Sequence, residues 1–142
     1  MKKQLLEKAK HIIQTTNTVF AFVSEDETLL SDAKGIGFAA ELCNQKKDLS
    51  NGCVADKIVG KAAALLFVYL GVKCVYADVM SEGAELVFKE FGIEYSFGTK
   101  TKNIINRKGD GLCPMENAVI NVSTPKQALL AVNETLQKLK SK

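Results

Sequence analysis

The run Ala62-Ala-Ala-Leu-Leu-Phe-Val-Tyr-Leu70 is apolar on nearly every helical face and stops at Gly71. A helix of this kind has no side to offer water and must lie buried against a sheet. The glycine just past its end suits the left-handed conformation that closes many helices. The same grammar recurs at Glu82–Phe91, which is followed by Gly92. Each glycine is followed at once by a strand-like stretch, Lys73–Val79 after the first and Glu94–Phe97 after the second. Helices alternating with strands in this way require crossover connections, which places the chain in the α/β class.

The remaining segments fill out that class. Leu5, Leu6, Ala9, Ile12 and Ile13 recur at helical spacing, predicting an amphipathic helix over residues 2–15. Thr18–Ser24 and Thr28–Asp32 flank the polar turn Glu25-Asp26-Glu27 as a hairpin would. A helix is predicted from Ile36 to about Lys46, and a second from about Val54 to Leu70. Residues 98–112 read as a polar loop, Pro114 opens a short helix, Val119–Val122 reads as a last short strand, and Pro125–Leu139 as a closing helix. The expected order is α-β-β-α-α-β-α-β-α-β-α in one domain, residues 1–142, with its core over 16–125 between helices 2–15 and 125–139. The natural architecture is a three-layer α/β/α sandwich with a mixed sheet.

Composition narrows the function classes. The net charge is +3, and the excess lysines gather at the two ends, which describes solvated helix faces and not a phosphate-tracking surface. Nucleic acid is therefore not an expected partner. The longest apolar run is too short to span a bilayer, and the lysine-bearing start lacks a signal-peptide core, so no membrane partner and a cytoplasmic location are expected. In that setting Cys43, Cys53, Cys74 and Cys113 should stay reduced, the first three as small buried hydrophobes. A lone histidine, His11, leaves little for a conventional metal site, and no metal or cofactor is expected.

Two segments carry the candidate chemistry, Asp56–Ala64 and Asn106–Glu116, each read as the start of a helix where free backbone N–H groups favour anions. Lys57 and Lys61 are four apart, so on a helix they share a face, with Asp56 placed as its cap. Two readings stand: the pair and Gly60 hold a phosphate, or the lysines run out to solvent. Cys113 before Pro114 would sit at a helix start that lowers a thiol pKa, so it is either a nucleophile or a cap. Lys61 would then have to replace the missing histidine as base. Glu116, at the third position of that helix, either closes a capping box or orients a ligand hydroxyl, and the spacing favours the cap. Asn106 and Arg107, the chain's single arginine, would read the charge and polar edge of a ligand.

The element order, with Asp56–Leu70 and the Cys113-Pro114 turn, resembles the cytidine-deaminase-like superfold. The motifs Asp-Lys-x-x-Gly-Lys-Ala-Ala-Ala and Cys-Pro-Met-Glu look like those of a small uncharacterised bacterial family of that superfold, over residues 16–125. The resemblance implies a zinc site and a proton-shuttling glutamate on these two helices. Lys61 stands at the ligand position, Ala63 at the glutamate position, and no second cysteine follows Cys113. Zinc-dependent deamination is therefore not expected. Three classes remain: a binding protein for a small anionic or nucleotide-like ligand at Asp56, Lys57, Gly60, Lys61, Asn106, Arg107, Cys113, Pro114 and Glu116; an enzyme using Cys113 or Lys61 as nucleophile; and, as the resemblance implies, a homo-oligomeric regulatory module.

Overall fold

The structure is a computed structural model and describes residues 2–33, 35–105, 108–109 and 111–140. Its elements are α1 (Lys2–Thr15), β1 (Phe20–Ser24), β2 (Thr28–Ser31), α2 (Gly37–Asn44), β3 (Gly52–Val59), α3 (Lys61–Leu70), β4 (Cys74–Ser81), α4 (Glu82–Phe91), β5 (Glu94–Thr101), α5 (Pro114–Ala118) and α6 (Pro125–Lys140). The five strands form one mixed sheet in the order β2-β1-β3-β4-β5. β1 runs antiparallel to both β2 and β3, whereas β3, β4 and β5 are parallel, as the β-α-β-α-β succession requires.

The two faces of the sheet bury different amounts of apolar surface. On one, Ala9 and Ile13 of α1 pack with Ala21, Val23, Ala55 and Tyr76. On the other lies the main core, where Phe20, Phe22, Val54 and Val75 of the sheet meet Leu65, Leu66 and Phe67 of α3, Phe88 of α4, and apolar residues of α2, α5 and α6. α3 is central to this layer, which is why its sequence is apolar nearly all round. Gly71 and Gly92 close α3 and α4 with φ of 80° and 70°.

Three expectations need correction. Residues 54–59 are strand and not helix: Gly52–Val59 lies between β1 and β4, which satisfy its backbone on both sides. Its first four residues are buried on both faces without alternation and Asp56-Lys57 breaks the run where a helix start would place polar groups, so periodicity alone does not separate it from a buried helix. Val119–Val122 is a turn, because Val119, Ile120 and Val122 donate to carbonyls only three residues back and leave nothing for a ladder. Cys53 and Cys74 are joined in a disulfide, since the parallel register sets them directly opposite with Cα atoms 4.8 Å apart. That meeting depends on strand pairing, which the spacing of cysteines along the chain does not reveal. Cys43 does behave as a buried hydrophobe, and burial pushes its thiol up to about 12.

Candidate functional site

Asp56 and Lys57 lie within β3, short of its carboxyl end and outside the groove at the starts of α3 and α4; Gly60 turns the chain, and Lys61 opens α3. Asp56 and Lys57 therefore belong to a strand; Lys57 shares no helix face with Lys61, and Asp56 caps no helix. Part of Asp56 remains accessible, but its carboxyl is enclosed by protein. Burial pushes that carboxyl up to about 8, helped by the charge of Asp78 and opposed by hydrogen bonds from the backbone N–H groups of Ile58 and Lys57.

The start of α3 is closed by a group from elsewhere in the chain. Oε1 of Glu116 accepts from the Lys61 backbone N–H at 2.8 Å, and Oε2 accepts from that of Ala62 at 2.9 Å. The expected capping box within its own helix is thus replaced by a cap on another helix, reached across 54 residues of sequence. Gly60 permits the contact, because a Cβ at that position would collide with the Glu116 carboxylate. Lys61 Nζ donates to the Ile120 carbonyl at 3.2 Å, tying the turn after α5 to the same place. α4, alongside, is capped by its own Ser81, whose Oγ accepts from the Ala84 N–H at 3.0 Å.

Between these two helix starts lies an open groove of about 200 Å³ lined by Lys61, Ser81, Gly83, Lys102, Asn103, Leu112, Glu116 and Ile120. It sits at the carboxyl ends of parallel strands, where open α/β sheets commonly place ligands. Neither Lys61 nor Lys102 forms an ion pair with a carboxylate among the described residues. A depression of similar size, about 210 Å³, holds Lys2 and Lys73 but matches them with Glu25 and Asp26. The excess positive charge therefore belongs to the first groove.

Of the residues singled out from sequence, Lys61 and Glu116 line this groove, with Gly60 directly beneath the Glu116 carboxylate. Cys113 precedes α5 without making a side-chain cap, and its side chain packs against the main core instead of lining the groove. Pro114 occupies the first turn of α5. Asn106 and Arg107 lie outside the described residues. Lys102, Asn103 and Ser81 were not singled out. The available signal was their position just beyond or at the end of strands, but residues 98–101 belong to β5 and not to a loop, and that shift hid it.

The chain matches, over residues 8–136, the profile of a family described as a domain of unknown function, DUF1893, under the label TM1506. The chain belongs to the DUF1893 family. The crystal structure of a DUF1893 family protein, TM1506 from Thermotoga maritima, is 26% identical and superposes with a TM-score of 0.86, covering 94% of this chain and 91% of that one. Comparison with curated proteins gives no match. In this DUF1893 chain the residues do not fit the zinc of a deaminase. Position 61 is a lysine and position 63 an alanine, and the Glu116 carboxylate is turned onto two backbone N–H groups. No group of three or more His, Cys, Asp or Glu side chains converges on a metal position among the described residues. No helix among them is long and apolar enough to cross a membrane.

Proposed function

We propose that this protein binds a small anionic ligand in the groove between the starts of α3 and α4, in a cytidine-deaminase-like architecture that does not run zinc-dependent deamination. The observation that carries this reading is the convergence of Lys61 and Lys102, neither in an ion pair among the described residues, on one groove at the carboxyl ends of β3 and β4. Two ammonium groups against the single Glu116 carboxylate leave the concavity net positive, which raises the local anion concentration. The α3 start is not itself the binding site, because Glu116 already fills it. Ligand charge is instead met by the Lys61 and Lys102 side chains, with Asn103 and Ser81 beside them as neutral hydrogen-bonding groups. Nucleophilic roles for Cys113 and Lys61 are not part of this reading: Cys113 is held against the core, and no histidine lines the groove to serve as base.

The test is a thermal-shift titration with inorganic phosphate in wild type, Lys61→Ala and Lys102→Ala. Binding stabilises the folded state by RT ln(1 + [L]/Kd), about 2.7 kcal/mol at a hundredfold excess over Kd. The expected result is a phosphate-dependent rise in Tm for wild type that falls away in both variants. An equal rise in all three proteins, or none in any, overturns the proposal.

A further inference from the structure

The lining of the groove also constrains the kind of anion, given the anion-binding reading on which this inference rests. We infer that the ligand is a small, non-aromatic, hydroxyl-bearing phosphate monoester of the sugar- or polyol-phosphate class, and not a nucleotide. Three features of the lining lead there.

The first is charge. Lys61 and Lys102 form no ion pair among the described residues, and with the Glu116 carboxylate on the same lining they leave it net positive. A phosphate monoester carries about −1.5 to −2 near neutral pH and spreads it over three acceptor oxygens, so one such group meets both ammonium groups at once. The second is the set of neutral and accepting groups. The Asn103 amide both donates and accepts, and the Ser81 hydroxyl lies at the end of β4. Each Glu116 oxygen takes one backbone N–H and keeps capacity for a second donor. A carboxylate oxygen with spare capacity calls for a donor on the ligand, and a hydroxyl supplies one.

The third is the character of the walls. The apolar lining is Leu112 and Ile120, and no Phe, Tyr or His is among the described residues that line the groove. Recognition of nucleobases commonly stacks the base on an aromatic side chain, and none is positioned for that here. The space, about 200 Å³, is also below the roughly 300–1,000 Å³ of pockets that enclose drug-sized ligands. A three- to five-carbon phosphate matches those dimensions without needing a ring beneath it.

Isothermal titration with methyl phosphate, glycerol 3-phosphate, ribose 5-phosphate and AMP on the full chain, in wild type and Lys102→Ala, tests this directly. Either polyol phosphate should bind at least tenfold tighter than methyl phosphate, AMP should bind no tighter than ribose 5-phosphate, and Lys102→Ala should weaken every probe that binds by tenfold or more. AMP binding tenfold tighter than ribose 5-phosphate overturns the inference in favour of a base-reading pocket. Both polyol phosphates failing to exceed methyl phosphate overturns it as well, because the hydroxyl-directed groups would then be idle. If none of the four binds, the failure is that of the anion site itself, an outcome separate from the other two.

Discussion

Replacing Glu116 by alanine removes the cap of α3 while leaving both helices otherwise intact. Two backbone N–H groups lose a charged acceptor held at 2.8 and 2.9 Å. They do not lose equally. Lys61 borders the groove, so water can take over its N–H and the net cost there is about 1 kcal/mol, in the range of an ordinary cap removal. Ala62 is 1% exposed, and its N–H has no route to solvent; leaving it unmet costs about 1–3 kcal/mol. The sum is roughly 2–4 kcal/mol, measurable by urea unfolding as a shift of the midpoint at unchanged m. Gly60 supplies the internal control. Its φ of −101° suits any residue, so Gly60→Ala should destabilise only through the clash between the new Cβ and the Glu116 carboxylate. In the Glu116→Ala background that clash is gone, and the reduced freedom of the unfolded chain should make Gly60→Ala neutral or stabilising by about 0.4–1 kcal/mol. A double-mutant cycle should therefore show strong coupling. Additive effects, or a cost below about 0.5 kcal/mol for Glu116→Ala, would refute the claim that this carboxylate holds the start of α3.

Other parts of the fold make further outcomes testable. The Cys53–Cys74 bond closes a segment with a sequence separation of 21, so Cys74→Ser should cost about 3 kcal/mol on a chain-entropy account; alkylation in denaturant without reductant should label only Cys43 and Cys113. The Asp56 carboxyl, raised from 3.8 to about 8, favours the protonated folded state. Its contribution is complete below about pH 4 and is lost as pH climbs toward 8, by up to roughly 1.4 kcal/mol per pH unit. Asp56→Asn should flatten this decline in urea midpoints measured from pH 5 to 9, and an unchanged slope would refute the assignment. Gly92→Ala meets no atom within 4 Å but imposes φ of 70° on a side chain, so it should cost about 1 kcal/mol by thermal unfolding.

Most of the fold was legible because the chain announces its helix ends. α1, α2, α4 and α6 fall close to their predicted spans, and the hairpin of β1 and β2 turns where Glu25-Asp26-Glu27 stands. What misled was the stretch from Gly52 to Leu70, where a strand buried on both sides runs into a helix buried nearly all round with only Gly60 between them. No periodicity marks that boundary, because Gly52–Ala55 is buried on both faces and α3 is buried nearly all round. The same boundary decides the site: with the turn at Gly60, Asp56 and Lys57 belong to the strand and only Lys61 stands at the helix start. Lys102 and Asn103 went unnoticed because their importance depends on where β5 ends, and Gly98 within that strand reads as a loop signal. The Cys53–Cys74 pair and the Glu116 cap share a further reason for being hidden. Each joins elements through tertiary geometry, and only the register of β3 against β4, or the placement of α5 beside α3, brings the partners together.

Lys61 meets two different demands with two different groups, and this separates binding from folding. Its backbone N–H donates to Glu116 and belongs to the α3 cap, while its Nζ donates to the carbonyl of Ile120, a fellow residue of the groove lining. Lys61→Ala keeps the first and deletes the second. The stability cost should be that of one hydrogen bond near solvent, about 0.5–1.5 kcal/mol, and alanine's higher helix propensity offsets part of it. Glu116→Ala acts in the opposite sense, costing several times more stability while removing no positive charge from the groove. If phosphate affinity tracked overall stability, Glu116→Ala would be the variant that lost it. If it follows the unpaired ammonium groups, Lys61→Ala loses it while remaining well folded, and Glu116→Ala keeps or gains it, because a negative charge has left the wall of the groove.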